Sequence, residues 1–450
     1  MEVIRGPKTV VKAKREDSNG LQSHQATVSL SSCDLSVPMI HVEVIYAFER
    51  PDSSAQPDSQ FDNVSKLLED GLARTLVVFK EYAGRMSKDE NGRSAIALNE
   101  QGAAWFSAEA NVTLKDLMPF SPGDDVLQLI PPHRGAEELL LVQFTRFKCG
   151  GFTLGIARHH VVADGTGVGM FMDAWASAVR GKSVTQSPLH DRLALMAQVR
   201  VPPQQPTSER DNGEHNNVEK PAVSGHNNVR NPPPSVKKLH FSPELLKTLK
   251  NEAAKDLDDG SYFTTVQSLA AHVWRCNLRA RELTGEVQST VIVAVNGRSR
   301  LENKLPDNYF GNVVFPAIAK STAEDLTEKP LSYATGIIRQ SIKGVDNQFV
   351  LGALEYMERQ GNKPKSKPVP APGARSGVRP ISHLSVTSWV QQPVYKTDFG
   401  WGTPLFVGPP AAPMDVVILV PSYTQDGSID VVTALSASDM ERFERYAFEI

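Results

Sequence analysis

The sequence predicts an α/β protein built from two lobes of similar size. Two observations carry that expectation. Strand-type alternation and helix-type periodicity follow one another along both halves of the 450 residues. Between the halves, residues 201–237 change character. They hold Pro202, Pro203, Pro206, Pro221 and the run Pro232, Pro233, Pro234, and they repeat His-Asn-Asn-Val at 215–218 and 226–229. With few large apolar residues, the stretch cannot offset its ordering entropy and reads as an exposed crossover rather than a histidine metal site. The length fits two or three domains at about 100–200 residues each. Domains are therefore expected at 1–200 and 238–450, joined by 201–237.

The elements follow in order. A short strand is expected at 9–12 and a longer one at 39–48, where apolar and polar residues alternate. A loop over 51–60 leads to a helix at 63–82, on whose face Val64, Leu67, Leu68, Leu72, Leu76, Val77 and Phe79 recur. Gly84 is the expected C-cap. A turn at 89–93 separates short strands, and 114–118 and 126–130 read as apolar pieces of loop. Strands at 139–144 and 153–157 then lead to a helix at 170–180. The second half resumes at Leu239-His240-Phe241 and offers helices at 243–254 and 264–280 and a strand at 289–295. A strand-like run at 309–315 is followed by helix over 331–360, with a break near Asp346 and Asn347. After a basic, Pro-rich stretch at 361–380 come strands at 385–390, 416–420 and 429–434 and a last helix at 438–446.

Composition narrows the function. A formal net charge of −3 argues against a nucleic-acid binder, which needs clustered excess Lys and Arg. Cys33, Cys149 and Cys276 are odd in number and far apart, so neither a disulfide framework nor a cysteine metal site is expected. The opening residues lack the apolar core of a secretory signal, and no run of 18 apolar residues occurs. A cytoplasmic protein without membrane contact is expected.

The chemistry centres on His159-His160-Val161-Val162-Ala163-Asp164-Gly165. A buried strand pattern leads into it and Gly165, Gly167 and Gly169 follow, which places an imidazole at a strand end before a turn. His160 and Asp164 stand four residues apart, a spacing open to several readings: a base with its orienter, as in hydrolytic triads, or a histidine satisfied within the core. A triad would need a nucleophile, and no Gly-x-Ser-x-Gly elbow occurs; a metal site would need a third ligand. A base without its own nucleophile suits activation of an acceptor hydroxyl or amine that attacks a carbonyl directly. Basic residues at 298–300 and 363–379 are candidates for holding the phosphates of a nucleotide-bearing thioester. A second unusual word, Asp398-Phe399-Gly400-Trp401-Gly402, reads as a tight turn around a buried ring, with Asp398 placed to anchor an arginine.

Together, His160-Val161-Val162-Ala163-Asp164-Gly165 and Asp398-Phe399-Gly400-Trp401-Gly402 resemble, in order and separation, the paired signatures of the plant BAHD acyltransferases. Phe147-Lys148-Cys149-Gly150-Gly151, Gly297-Arg298-Ser299-Arg300-Leu301, Tyr309-Phe310-Gly311-Asn312-Val313 and Thr387-Ser388-Trp389-Val390 resemble its hydroxycinnamoyl-CoA branch. The resemblance implies two chloramphenicol-acetyltransferase-like domains with the active site in a channel between them. It implies a monomer that uses an acyl-CoA co-substrate and no metal or other cofactor. His160 would deprotonate the acceptor. Asp164 would be structural and pair with an arginine, for which Arg298 is the candidate, and Gly165 would let the backbone turn. Asp398 matches an aspartate often grouped with the catalytic residues, although its turn setting argues for a structural part, and Gly400 and Trp401 would shape the same region. Thr387 and Trp389 would line the acyl and acceptor region, and Asn296, Gly297, Arg298, Ser299 and Arg300 would contact coenzyme A.

One position departs from the shikimate and quinate transferases of that branch. An arginine there follows Ser-Trp-Val and grips the acceptor's carboxylate, whereas this chain has Gln391. Loss of a bidentate cation removes the reason for a carboxylate-bearing acceptor. Stretches such as 44–48, 81–86, 95–99 and 139–147 resemble agmatine and tryptamine hydroxycinnamoyltransferases. A hydroxycinnamoyl transfer to an amine such as agmatine, putrescine or tryptamine is expected, with shikimate, quinate or another alcohol as the alternative.

Overall fold

The computed structural model describes residues 1–15, 26–50, 61–183, 187–198, 234–256, 262–361 and 383–450. The expected loop at 51–60, most of the expected crossover (201–233) and the basic stretch at 363–379 lie outside the described residues.

Two mixed sheets organise the chain. The first runs Val3–Arg5, Ala103–Ala110, Leu140–Phe147, Phe152–His159, His41–Phe48, Phe406–Gly408, with Thr9–Val11 also paired to Ala103–Ala110. The second runs Ser235–Phe241, Ile429–Leu435, Val416–Pro421, His383–Ser388, Gln288–Asn296, Val314–Thr322. Thr27–Ser29, Ser94–Ala97 and Arg85–Lys88 form a small third sheet. In the first sheet both faces are buried. Val44, Tyr46 and Phe48 join one apolar cluster, while Ile45 and Ala47 join the other. Alternation of side chains along a strand makes that division. The first cluster is covered by helices Phe61–Val78 and Gly165–Val179, the second by Leu114, Phe120, Val126, Leu129 and Ile130. Helices Pro243–Ala254, Thr265–Ala280, Leu331–Gly344 and Ala437–Ala447 cover the second sheet.

Several expectations are corrected. Ala103–Ala110 is a fully paired strand that the sequence reading passed over, because four of its eight residues are alanine, a weak strand former. It lies parallel to Leu140–Phe147. Of the expected strand at 309–315, only the end belongs to a strand, Val314–Thr322. Pro316 sits within it, which an edge strand tolerates. Residues 114–118 and 126–130 contain short helices, Leu114–Leu117 and Asp124–Leu127. Gly84 is not a left-handed cap: its φ is −90°. Glycine is needed there because a Cβ would stand 2.4 Å from the Ala97 carbonyl oxygen. Phe406–Gly408, late in the chain, pairs with His41–Phe48 at the edge of the first sheet.

Gly155 lies mid-strand beneath the segment ending at Ile130. A Cβ at this position would come within 1.9 Å of the Leu129 carbonyl oxygen. Backbone cannot yield as a side-chain tip can. Gly155→Ala is therefore expected to destabilise the protein by about 3 kcal/mol or more, at the severe end of overpacking, read as a lowered thermal midpoint. An unchanged midpoint would contradict the close approach.

Candidate active site

The strand Phe152–His159 is buried along its whole length and hydrogen-bonded on both sides. His160 is the first residue past its end, and its N–H donates to the Ile40 carbonyl at 2.9 Å. Val162 N–H donates to His159 O at 3.1 Å, closing a turn. Asp164 then has extended backbone, and its Oδ1 accepts from Gly167 N–H at 3.2 Å. This side-chain cap starts the helix Gly165–Val179. Gly165 thus opens the helix instead of bending the chain as expected; the bend is made before it by Asp164. Its missing Cβ leaves room for Gln392, whose Nε2 would lie 3.2 Å away.

Asp164 joins the halves of the chain. Its Oδ2 accepts from Arg298 Nη1 at 2.6 Å and from Val313 N–H at 2.9 Å. Arg298 Nη2 donates to Gly311 O at 3.0 Å. The pair is largely buried, so it is screened little by salt.

A second buried network holds the turn from beneath and was missed in the sequence. Asn312 Nδ2 donates to the carbonyls of His160 (3.1 Å) and Val161 (3.3 Å). Arg192 Nη2 donates to the Val162 carbonyl at 2.7 Å. Asp34 ties these two together: its Oδ1 accepts from Arg192 Nη1 at 2.8 Å and from Asn312 N and Nδ2, both at 2.9 Å. Three consecutive carbonyls of the His160 turn are thus pinned by two side chains that share one carboxylate. Asp34 and Arg192 lie 158 residues apart, and no local pattern marks them. The one available signal was Asn312, inside a family-like word to which no role attached.

His160 is mostly buried. Its pKa is lowered from the ordinary imidazole value by burial first and then by the Arg158 guanidinium, with Asp164 and Asn312 opposing. The neutral ring is therefore favoured, and a neutral ring can accept a proton. No side-chain hydrogen bond from a serine or cysteine reaches His160 among the described residues. His159 belongs to other company. It packs edge-on to His41 at 5.2 Å, and its pKa is lowered to about 4 by burial, then by His41 and His160. Its Nδ1 accepts from Val161 N–H at 3.4 Å, so it braces the turn as a neutral ring.

Beside this turn is a cavity of about 190 Å³. Val42, Val44 and Tyr46 form one wall, with Arg158 on the neighbouring strand. Gly165, Val168, Gly169, Met172 and Asp173 form the helix wall, and Trp389, Gln392, Val394 and Lys396 close it. Of the glycines and candidate site residues singled out in the sequence, Gly165, Gly169 and Trp389 line this cavity. His160 is not itself a lining residue; Arg158 and Gly165, which flank its turn, are. Thr387, half-buried in His383–Ser388, and Gln391, exposed, are not among the lining residues; Gln392 is.

Asp398 Oδ1 accepts from Gly400 N–H at 2.7 Å and Gly402 N–H at 3.0 Å. Gly400 and Gly402 have φ of +108° and +96°, which glycine alone adopts without strain. No arginine pairs with Asp398 among the described residues; its Oδ1 serves its own turn. That turn packs Phe399 against Trp175 (5.3 Å) and Phe48 (5.6 Å), and Trp401 against Phe152 (6.0 Å). Asn296 Nδ2 approaches Thr166 Oγ1 at 3.4 Å, and its Oδ1 accepts from Arg298 N–H at 3.0 Å. Gly297 is required because a Cβ would stand 2.5 Å from the Phe315 ring. Ser299 is exposed. Arg300 forms no ion pair among the described residues.

These features sit on a recognisable fold. Vinorine synthase superposes with a TM-score of 0.72 at 21% identity, covering 98% of this chain and 96% of that one. F. graminearum TRI101, complexed with coenzyme A and deoxynivalenol, gives 0.73 at 19% identity over 93% and 97%. In sequence, agmatine coumaroyltransferase-1 of Hordeum vulgare is 34% identical over 91% of this chain and 90% of its own length. Shikimate O-hydroxycinnamoyltransferase of Nicotiana tabacum is 34% identical over 93% and 94%. The family model described as the Transferase family matches residues 7–449. The chain belongs to this family, the BAHD acyltransferases, and is an acyl-transferring enzyme. No helix among the described residues is long and apolar enough to cross a membrane.

Proposed function

We propose that the protein transfers a hydroxycinnamoyl group such as p-coumaroyl from coenzyme A to an amine, with His160 as general base. The observation that carries this is His160 itself: a ring whose pKa burial and Arg158 lower, held on a pinned turn whose flanking residues Arg158 and Gly165 line a mostly apolar cavity, and not bonded to any nucleophile among the described residues. The acceptor amine attacks the thioester carbonyl and His160 takes its proton. As the tetrahedral intermediate collapses and the C–S bond breaks, the proton passes to the departing thiolate. The two substrates suffice; no cofactor enters. The first-sheet and second-sheet halves meet at Thr166 and Asn296, which is where coenzyme A is proposed to lie. Both terminal nitrogens of Arg298 are committed within the protein, so Arg300 is the cation of that turn proposed to meet phosphate.

An amine acceptor is favoured by Gln391 in place of the carboxylate-gripping arginine; agmatine transferases of Hordeum vulgare and Oryza sativa at 34% and 33% identity are compatible with it, as the shikimate transferase at 34% is with an alcohol. An alcohol acceptor carrying a carboxylate is the second reading, favoured by Arg158 and Lys396 in the cavity wall. Cys33, Cys149 and Cys276 are all free thiols, consistent with a reducing cytoplasm. The test offers p-coumaroyl-CoA with agmatine, putrescine, tryptamine, tyramine, shikimate and quinate, and measures free thiol. Thiol release with an amine is expected. Release with shikimate and with none of the amines would replace this reading by the second.

A further inference from the structure

We propose that Asp173 is the specificity-determining anion of the cavity, holding the distal guanidinium or ammonium of a cationic amine whose reactive nitrogen lies at His160. The inference rests on the amine reading above and adds what selects among amines. Asp173 is the single carboxylate among the residues that line the cavity. It is exposed, and forms neither an ion pair nor a side-chain hydrogen bond among the described residues. It shares a helix face with Gly165, Val168, Gly169 and Met172, at the spacing that puts side chains on one side.

Placement gives the cavity two electrostatic ends. Gly165 follows the His160 turn directly, and Asp173 lies eight residues further on. At 1.5 Å rise per residue that is roughly 12 Å along the helix, a span for an alkyl amine with a cationic tail, with room for the acyl carbon at the other end. At the His160 end stands Arg158, buried, bonded through Nη1 to the Ala163 carbonyl at 3.1 Å and without an acidic partner among the described residues. A buried cation there disfavours an ammonium and so favours the neutral, nucleophilic form of the near amine. A carboxylate at the far end attracts the remaining positive charge. An acceptor with one charge per end is thereby oriented with the uncharged nitrogen at the base. Val168, Met172 and Val44 contact the methylenes between. Lys396, on the closing segment, is not paired with Asp173; it leaves the carboxylate open to the ligand.

The experiment measures steady-state kinetics at saturating p-coumaroyl-CoA with agmatine and with tyramine, which has no distal cation, for wild type, Asp173→Asn, Asp173→Ser and Asp173→Glu. A charge-assisted hydrogen bond lost from the bound state corresponds to about 10–100-fold. KM for agmatine is expected to rise by about that factor in Asp173→Asn and Asp173→Ser with a much smaller change in kcat. The agmatine-to-tyramine ratio of kcat/KM falls accordingly, and Asp173→Glu restores part of it. An unchanged agmatine KM, or an equal rise for both amines, would overturn the assignment of Asp173 and leave the amine reading standing. A wild-type enzyme that acylates shikimate and no amine would overturn both.

Discussion

Replacing His160 by alanine is expected to lower turnover by about 10²–10⁴-fold, the size of a general-base contribution, while the protein stays folded. The ring's Nδ1 has no hydrogen-bond partner, and the turn is held through the His160 carbonyl and N–H, which alanine keeps. The pH profile supplies a second readout. The base must be neutral to act, and burial with Arg158 lowers its pKa. The acid limb of kcat/KM assigned to this group should therefore lie below the ordinary imidazole value, so that activity persists to lower pH than an exposed histidine would allow. Arg158→Gln removes the nearby cation and should move that limb upward. Turnover unchanged in His160→Ala, or an acid limb above the ordinary value, would refute the base assignment.

Asp34→Ala is expected to be the most destabilising change at the site, by about 3–5 kcal/mol, the cost of breaking one side of a buried charge pair. Asp34 and Arg192 are at most 1% exposed. Loss of the carboxylate leaves the Arg192 guanidinium buried without its 2.8 Å partner and the Asn312 N–H without its acceptor, and takes one of three acceptors from Asn312 Nδ2. The remaining carboxylate nearby, Glu81, is 3.9 Å from Arg192 and already bonds His190 at 2.7 Å. A large drop in thermal midpoint is the expected reading. Asp34→Leu combined with Arg192→Met should recover part of it, since the pair then goes out together. Activity should not recover with it, because the Val162 carbonyl has lost its donor and the His160 turn one of its pins. A midpoint within a degree of wild type in Asp34→Ala would show that the network does not hold the fold.

How much of this was legible in the chain depends on distance. The strand before His160, the helix after it and the glycine-bounded word at 398–402 are local patterns, and periodicity and turn chemistry expose them. Ala103–Ala110 was not legible, since alanine carries little strand signal and a parallel partner at 140–147 supplies the pairing. The edge strand Phe406–Gly408 is three residues long and has no period of its own. Gly165 was read as a bend because glycines commonly make them, whereas the Asp164 side chain caps a helix there.

The sequence by itself pointed to the family. The His160–Gly165 word and the Asp398–Gly402 word resemble the paired BAHD signatures, and that resemblance implied acyl transfer. Only the tertiary structure decided how that histidine is held and what it faces. Asp164 to Arg298, Asp34 to Arg192 and Asn312 to the His160 carbonyl are contacts across 134, 158 and 152 residues. A buried charge is satisfied by whatever group folding brings to it, not by its neighbours in sequence. The same holds for the cavity lining: Gln391, chosen from the sequence, is not a lining residue, while Gln392 and Asp173 are. Which of two adjacent side chains meets a ligand is set by the rotation of the backbone, and that rotation is fixed only when the sheets and helices pack.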